Sequence, residues 1–216
     1  MKVEVYIPDT LSEITLGQYQ KYLKIQSENE DENFLAIKMI EIFCGLRGDT
    51  IMAMKANSIK DVTMILTDMF NEKPKLVKEF KLNGRIYGFI PKLEDMSFGE
   101  YIDIDTYIGD MENIHRAMNV LYRPIKQKYK ERYLIEDYTG DNPEVMKSMP
   151  MDAVLSSILF FYNLGMDLSK AMLNSLEEDK EMNLAQYLTS EENGDGINHF
   201  SVSLKEILED LKISLN

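Results

Sequence analysis

Two stretches of this chain share one local pattern, and the repetition restricts the available folds more than any other feature. Tyr6-Ile7-Pro8, then Leu11, then Ile14-Thr15-Leu16-Gly17-Gln18-Tyr19 matches Phe89-Ile90-Pro91, then Leu93, then Met96-Ser97-Phe98-Gly99-Glu100-Tyr101, with a single one-residue gap. Each copy reads as a strand, a proline, a short connection and a helix start. In each start a Ser or Thr is followed three residues later by Gln or Glu. This is the capping box, in which the two side chains satisfy free amides of the first turn. Gly17 and Gly99 are poor helix formers at one shared helical position, which points to an internal duplication. The competing account is local: any two capped helices that follow strands look alike. Later matches in the same order are Met39 and Phe43 with Met118 and Tyr122, then Met54-Lys55 with Met146-Lys147.

The rest of the pattern predicts an α+β fold, mainly helical, with a small sheet. Val3, Val5 and Ile7 alternate with Lys2, Glu4 and Tyr6, the period of two of a half-buried strand over residues 2–7. Asn83-Gly84, between Phe80-Lys-Leu and Arg85-Ile-Tyr-Gly-Phe-Ile90, is the strongest hairpin signal, because Asn-Gly supplies the positive φ angles of a type I′ turn. Helices are expected over 16–27, from Phe34 to a stop at Gly45 and Gly48, and beyond Ser58 to Phe70. More are expected from Ser97 through Ile108, and over 111–122 with Pro124 ending it. A further helix is predicted over 151–163 with Gly165 ending it, followed by amphipathic segments at 167–175 and 203–213 and a solvated loop at 191–196. Residues 126–142 read as loop or short helix. The expected organisation is a single domain over 1–216. Within it lie two repeated halves, a strand-helix unit at 1–75 and a hairpin plus second unit at 76–175, with an acidic linker and terminal helix at 176–216.

Chemistry is harder to find. Cys44 is the only cysteine, so an intrachain disulfide and a multi-thiolate zinc site are excluded, and it reads as a small buried hydrophobe. His115 and His199 have no Ser or Cys in a nucleophile motif beside them and read as surface or loop residues. No glycine-rich phosphate cradle is present. Glu100, Asp103, Asp105 and Asp110 gather near one helix start, but Asp103 and Asp105 project about 200° apart on a 3.6-residue repeat. Favourable interaction with the helix dipole accounts for such early acids without an ion. No catalytic, cofactor-binding or metal-binding residue is therefore assigned, and the chain is expected not to be an enzyme.

Charge and apolar pattern narrow the partners. There are 24 Lys and Arg against 37 Asp and Glu, a net charge of −13, which disfavours binding to a phosphate backbone. The longest apolar runs fall well short of the ~20 residues that span a bilayer, and Met1-Lys2-Val3-Glu4 lacks the start of a signal peptide. The chain is thus expected to stay in the cell where it is made, off the membrane. One segment runs against the global charge. Arg116, Arg123, Lys126, Lys128, Lys130 and Arg132 face only Glu131 within 116–132, and Tyr122, Tyr129 and Tyr133 are interleaved. Tyr122, Arg123, Lys126, Lys128, Tyr129, Lys130, Arg132 and Tyr133 are the candidate partner-binding residues. They suit the acidic face of another protein, or of a second copy, better than nucleic acid, which the remainder of the molecule repels. A solvated basic loop is the plainer account. The 15 methionines include Met52, Met54, Met64, Met69, Met146, Met149 and Met151 on apolar helical faces; they suit core filling, or, if turned outward, an adaptable binding surface.

Ser97-Phe-Gly-Glu-Tyr-Ile-Asp-Ile-Asp105, Val120-Leu-Tyr-Arg-Pro-Ile125 and Phe160-Phe-Tyr-Asn-Leu-Gly165 resemble segments of small acidic proteins encoded among the structural genes of tailed bacteriophages, of the tail-assembly-chaperone type. The resemblance covers about residues 97–165 through short motifs and transfers no functional residue. It implies a helical, non-enzymatic protein of the host cytoplasm that binds a phage structural polypeptide and keeps a tail component soluble until assembly. The predicted β structure exceeds what that family implies. A neck or tail-ring component retained in the virion is the alternative, and a cryptic enzyme or a nucleic-acid-binding protein comes after both.

Overall fold

The computed structural model describes residues 6–178 and is α+β, mainly helical, with one four-stranded antiparallel sheet. Both capping boxes form. Thr15 Oγ1 accepts from the Gln18 amide at 3.2 Å while Gln18 Oε1 accepts from the Thr15 amide at 2.9 Å, opening α1 (Leu16–Glu28). Asp31 accepts from the amides of Asn33 and Phe34 and opens α2 (Glu32–Phe43). After Gly45 at φ +66° the chain makes α3 (Gly48–Met52), which the two glycines had disguised as a stop, and then α4 (Ala56–Phe70). Its N-cap is Lys55 rather than Ser58, which lies within the first turn. Tyr19, Tyr22, Phe43 and Phe70 stack as tilted rings 5.1–5.4 Å apart and form the centre of this helical group.

The hairpin forms as predicted. β1 (Glu79–Leu82) pairs with β2 (Arg85–Phe89) across Asn83 at φ +50° and Gly84 at φ +77°. A second box, with the Ser97 amide donating to Glu100 Oε2 at 2.7 Å, opens α5 (Phe98–Tyr107), and α6 (Ile114–Leu121) packs against it. Three expectations fail beyond this point. The helix predicted over 111–122 leaves at Tyr122 and becomes β3 (Tyr122–Tyr129), with Pro124 inside the strand. The residue before a proline is pushed into extended conformation, so Arg123 cannot continue the helix and is ready for a sheet. The segment read as loop or short helix is the ribbon of β3 and β4 (Arg132–Ile135), turning through Lys130 at φ +56°. Finally, the helix expected to end at Gly165 is α7 (Met151–Glu178), 28 residues without a break at 167. One interior glycine costs about 1 kcal/mol against alanine, less than the packing of this apolar helix supplies.

The sheet order is β1-β2-β3-β4. The strand expected over 2–7 lies mostly outside the described residues, and Tyr6 and Ile7 are not in a strand. Tyr122 joins sheet to helix: fully buried, it lies 5.1 Å from Phe80 and 5.3 Å from Phe89, and its hydroxyl donates to the Val77 carbonyl at 2.6 Å and meets Ser157 Oγ of α7 at 3.0 Å. Phe89 in turn contacts Phe160 and Phe161 of α7. The β3–β4 ribbon folds back over β2, where the Tyr133 ring covers Gly88 so closely that a Cβ there would lie 2.5 Å from it. Among the described residues, no helix is long and apolar enough to cross a membrane. The segments predicted at 191–196 and 203–213 lie outside the described residues.

Candidate partner-binding surface

The two repeated starts agree well beyond their boxes. Each is preceded by a tight 3₁₀ turn, Leu11–Glu13 and Leu93–Asp95, closed by an amide donating to Leu11 and Leu93 respectively, both at 3.2 Å. Each boxed side chain also reaches onward to the end of the next helix. Gln18 Nε2 donates to the Ile42 carbonyl at 2.9 Å near the end of α2, and Glu100 Oε1 pairs with Arg123 Nη1 at 2.8 Å just past α6.

Their surroundings differ. Beside α1 the chain returns as an extended segment. The Leu16 amide donates to the Met149 carbonyl at 3.0 Å, the Met151 amide donates to the Ile14 carbonyl at 2.8 Å, and Thr15 and Pro150 make an isolated antiparallel bridge. Ile14 and Leu16 are fully buried and Tyr19 is 5 % exposed. Gly17 permits this closeness, since a Cβ there would lie 3.0 Å from the Lys147 carbonyl oxygen. At the same positions of α5, Phe98 is 77 % exposed and Tyr101 53 %, joined by Ile102 at 45 %. A Cβ on Gly99 would meet nothing within 4 Å. Among the described residues, no bond like the Leu16 and Met151 pair is made at Phe98 and Met96.

The candidate residues of the basic segment do not form one surface. Tyr122 is buried in the core, and Arg123 is paired with the buried Glu100. Lys126 pairs with Asp137 at 2.9 Å and Lys128 with Glu79, while the Tyr133 hydroxyl donates to the Phe89 carbonyl at 2.7 Å. The Lys128 and Tyr133 contacts tie the ribbon back to β1 and β2. Tyr129, Lys130 and Arg132 remain exposed around the turn, with the Lys130 ammonium over the Tyr129 ring. Local ion pairs therefore absorb much of the positive charge that the sequence gathers there.

His115 is the other departure. It is 2 % exposed on α6, not a surface residue. Its Nε2 lies 3.1 Å from Glu144 Oε1, and its Nδ1 faces the Gln20 amide at 3.4 Å. Gln20 Nε2 also donates to the carbonyls of Met111 and Glu112, both at 2.9 Å. An Nε2–H tautomer donates to Glu144 and leaves Nδ1 as an acceptor facing the Gln20 amide nitrogen, whose two hydrogens are shared with the two closer carbonyls. Burial, reinforced by the Lys147 ammonium, holds the imidazole below its ordinary pKa despite the opposing pull of Glu144. The histidine thus fastens the segment that covers α1, and among the described residues the ring's hydrogen-bond partners are Gln20 and Glu144, with no Ser, Thr or Cys.

Three of the four acids read as dipole partners have separate roles, Glu100 serving in the capping box and the Arg123 pair. Asp103 accepts from the Tyr138 hydroxyl at 2.6 Å, and Asp110 accepts from the amides of Glu112 and Asn113. Among the described residues, no group of three or more His, Cys, Asp or Glu side chains is placed to hold a metal ion. A cleft of about 380 Å³, lined by Thr15, Val77, Glu79, Lys81, Pro150 and Asp152 among others, has no histidine or cysteine in its lining. Of the methionines, Met69, Met146, Met149 and Met151 fill the core, whereas Met52 and Met64 are exposed.

Comparison of the chain with protein-family models, curated proteins and solved structures finds no match.

The sequence predicts a helix from Ser97 through Ile108 but does not by itself separate its buried apolar side from its exposed one. Phe98, Tyr101 and Ile102 stand at i, i+3 and i+4, a second stripe beside the buried Ile104 and Ile108. A short helix apolar on two sides has more such surface than one core contact consumes, and that was the available signal.

Proposed function

We propose that this protein is a non-enzymatic assembly protein that binds a partner polypeptide, working in tailed-phage virion assembly in the manner of a tail assembly chaperone. The observation that carries the binding reading is the exposed α5 surface: the large apolar side chains Phe98, Tyr101 and Ile102 stand in solvent, whereas Leu16 and Tyr19, the counterparts of the first two on α1, are buried. Contiguous exposed apolar side chains mark interaction sites, whereas scattered ones need no explanation. The assignment to phage assembly rests on the segments between Ser97 and Gly165 that resemble proteins of phage structural modules. The net charge of −13 supports solubility in a protein that holds an apolar client.

Co-expression of the full chain with the products of adjacent structural genes, followed by size-exclusion chromatography, should recover a defined complex. It should also keep soluble a tail protein that precipitates alone. Absence of any complex overturns the proposal. The sheet of β1–β4 favours a second reading, a neck or tail-ring subunit. Recovery of the protein at fixed stoichiometry in mature virions decides for that reading.

A further inference from the structure

We infer that the start of α5 is a seat for one extended segment of the partner polypeptide, which docks there as Met149-Pro150-Met151 docks on α1. The inference rests on the partner-binding reading above and specifies where and how the partner engages. At α1 the docked segment presents one carbonyl to the Leu16 amide and one amide to the Ile14 carbonyl. The α5 start offers the matching pair, the Phe98 amide and the Met96 carbonyl, behind the same 3₁₀ turn and the same box. Gly99 leaves the opening through which a backbone can approach, as Gly17 does for Lys147. Main-chain pairing of this kind gives affinity without sequence demands, and flanking side chains supply selectivity. Here those side chains are Phe98, Tyr101 and Ile102, which suit apolar residues on either side of a proline.

Charge decides among the occupants. The seat is bordered by the exposed acids Glu94, Asp95 and Asp105, with Lys92 the basic neighbour, 3.6 Å from Asp95. A segment carrying lysine or arginine beside its apolar residues is the complement. The chain's own residues 179–216 hold eight acids against three lysines, and residues 1–5 hold one acid against one lysine, so neither has the excess of basic residues that the bordering acids call for. A second copy of this chain brings its own −13 charge, and its Met149 segment already covers its own α1. The occupant is therefore a basic, apolar, extended segment of a different protein.

The test uses full-length protein and a fluorescently labelled synthetic peptide, Met-Lys-Ser-Met-Pro-Met-Lys-Ala, which copies residues 146–153 with lysine in place of Asp152 so that it carries the basic charge of the occupant. Fluorescence anisotropy should show binding at least ten-fold tighter than a scrambled peptide. Gly99→Val, which closes the opening, and Phe98→Glu, which removes the apolar wall, should each weaken it at least ten-fold. Gly99→Ala should melt no lower than the unsubstituted protein, because its Cβ enters open space, whereas Gly17→Ala should melt lower. Peptide binding that ignores both Gly99→Val and Phe98→Glu, or that does not exceed the scrambled control, overturns the seat. A lowered melting temperature in Gly99→Ala would show that the chain's own residues fill it. A concentration-dependent dimer dispersed by Phe98→Glu would assign it to a second copy. Each of these last two outcomes also overturns the inference. A partner complex that survives Gly99→Val would sink the seat while leaving the partner-binding function standing.

Discussion

The helices α1 and α5 begin with the same turn, the same capping box and the same onward bond, yet one start is buried and the other faces solvent. The difference separates two levels of control. Capping is local: Thr15 and Ser97 each meet a partner three residues away, so burial is irrelevant to whether the box forms. Cover is non-local, and for α1 it arrives from Lys147–Met151, about 130 residues further along the chain. Two nearly identical local sequences therefore have different energetic weight, and substitutions at matched positions should expose it.

The largest contrast should come from the first helical residue. Leu16→Ala removes a fully buried side chain and should cost about 2–5 kcal/mol, whereas Phe98→Ala should stay within about 0.5 kcal/mol as a surface change. Urea unfolding of both variants measures the pair, and equal losses would break the comparison by showing that α5 is covered too.

The caps should behave in the opposite way. Thr15→Ala and Ser97→Ala should each cost about 1 kcal/mol, similar in size despite the different surroundings. A Ser97 effect near zero would mean that the box matters only where the helix start is already packed.

The smallest effect is one of acidity, and it comes from His115 of α6, where that helix meets Gln20 of α1 and Glu144 of the segment that covers it. In the folded protein His115 is held below its ordinary pKa by burial and by Lys147, with Arg116 adding in the same direction and Glu144 opposing. The unfolded chain takes up its proton near pH 6.5, before the folded one does. Stability is thus complete above that pH and falls as pH drops below it. The urea midpoint should fall between pH 7.5 and 5.5, and the fall should be shallower in His115→Gln. Parallel slopes would remove the histidine from the account.

Most of what was legible in the sequence was short in range. The boxes at Thr15 and Ser97 and the turn at Asn83-Gly84 place donors, acceptors and positive φ angles within a few residues, so the residues themselves specify the geometry. The β3–β4 ribbon was illegible because its turn puts Lys130, not Gly or Asn, at positive φ, and because lysines mask its alternation. The continuity of α7 through Gly165 depends on packing that outweighs a weak local preference. At the candidate surface, composition suggested the basic ribbon, but ion pairs from Glu79, Glu100 and Asp137 were distant in sequence and could not be anticipated. The α5 stripe was visible as letters, but its exposure is set by how the described elements pack around it and not by the stripe itself.

Cys44 adds a practical consequence. Burial pushes its thiol up to about 11, roughly a hundred-fold smaller thiolate fraction at neutral pH than a free cysteine near 8.5–9 would have. Since it is the only cysteine in the chain, the native protein is already close to a silent background for thiol labelling. A single cysteine placed at Phe98 or Tyr101 would react far faster, giving a clean reporter whose alkylation rate follows the arrival and departure of whatever lies against α5.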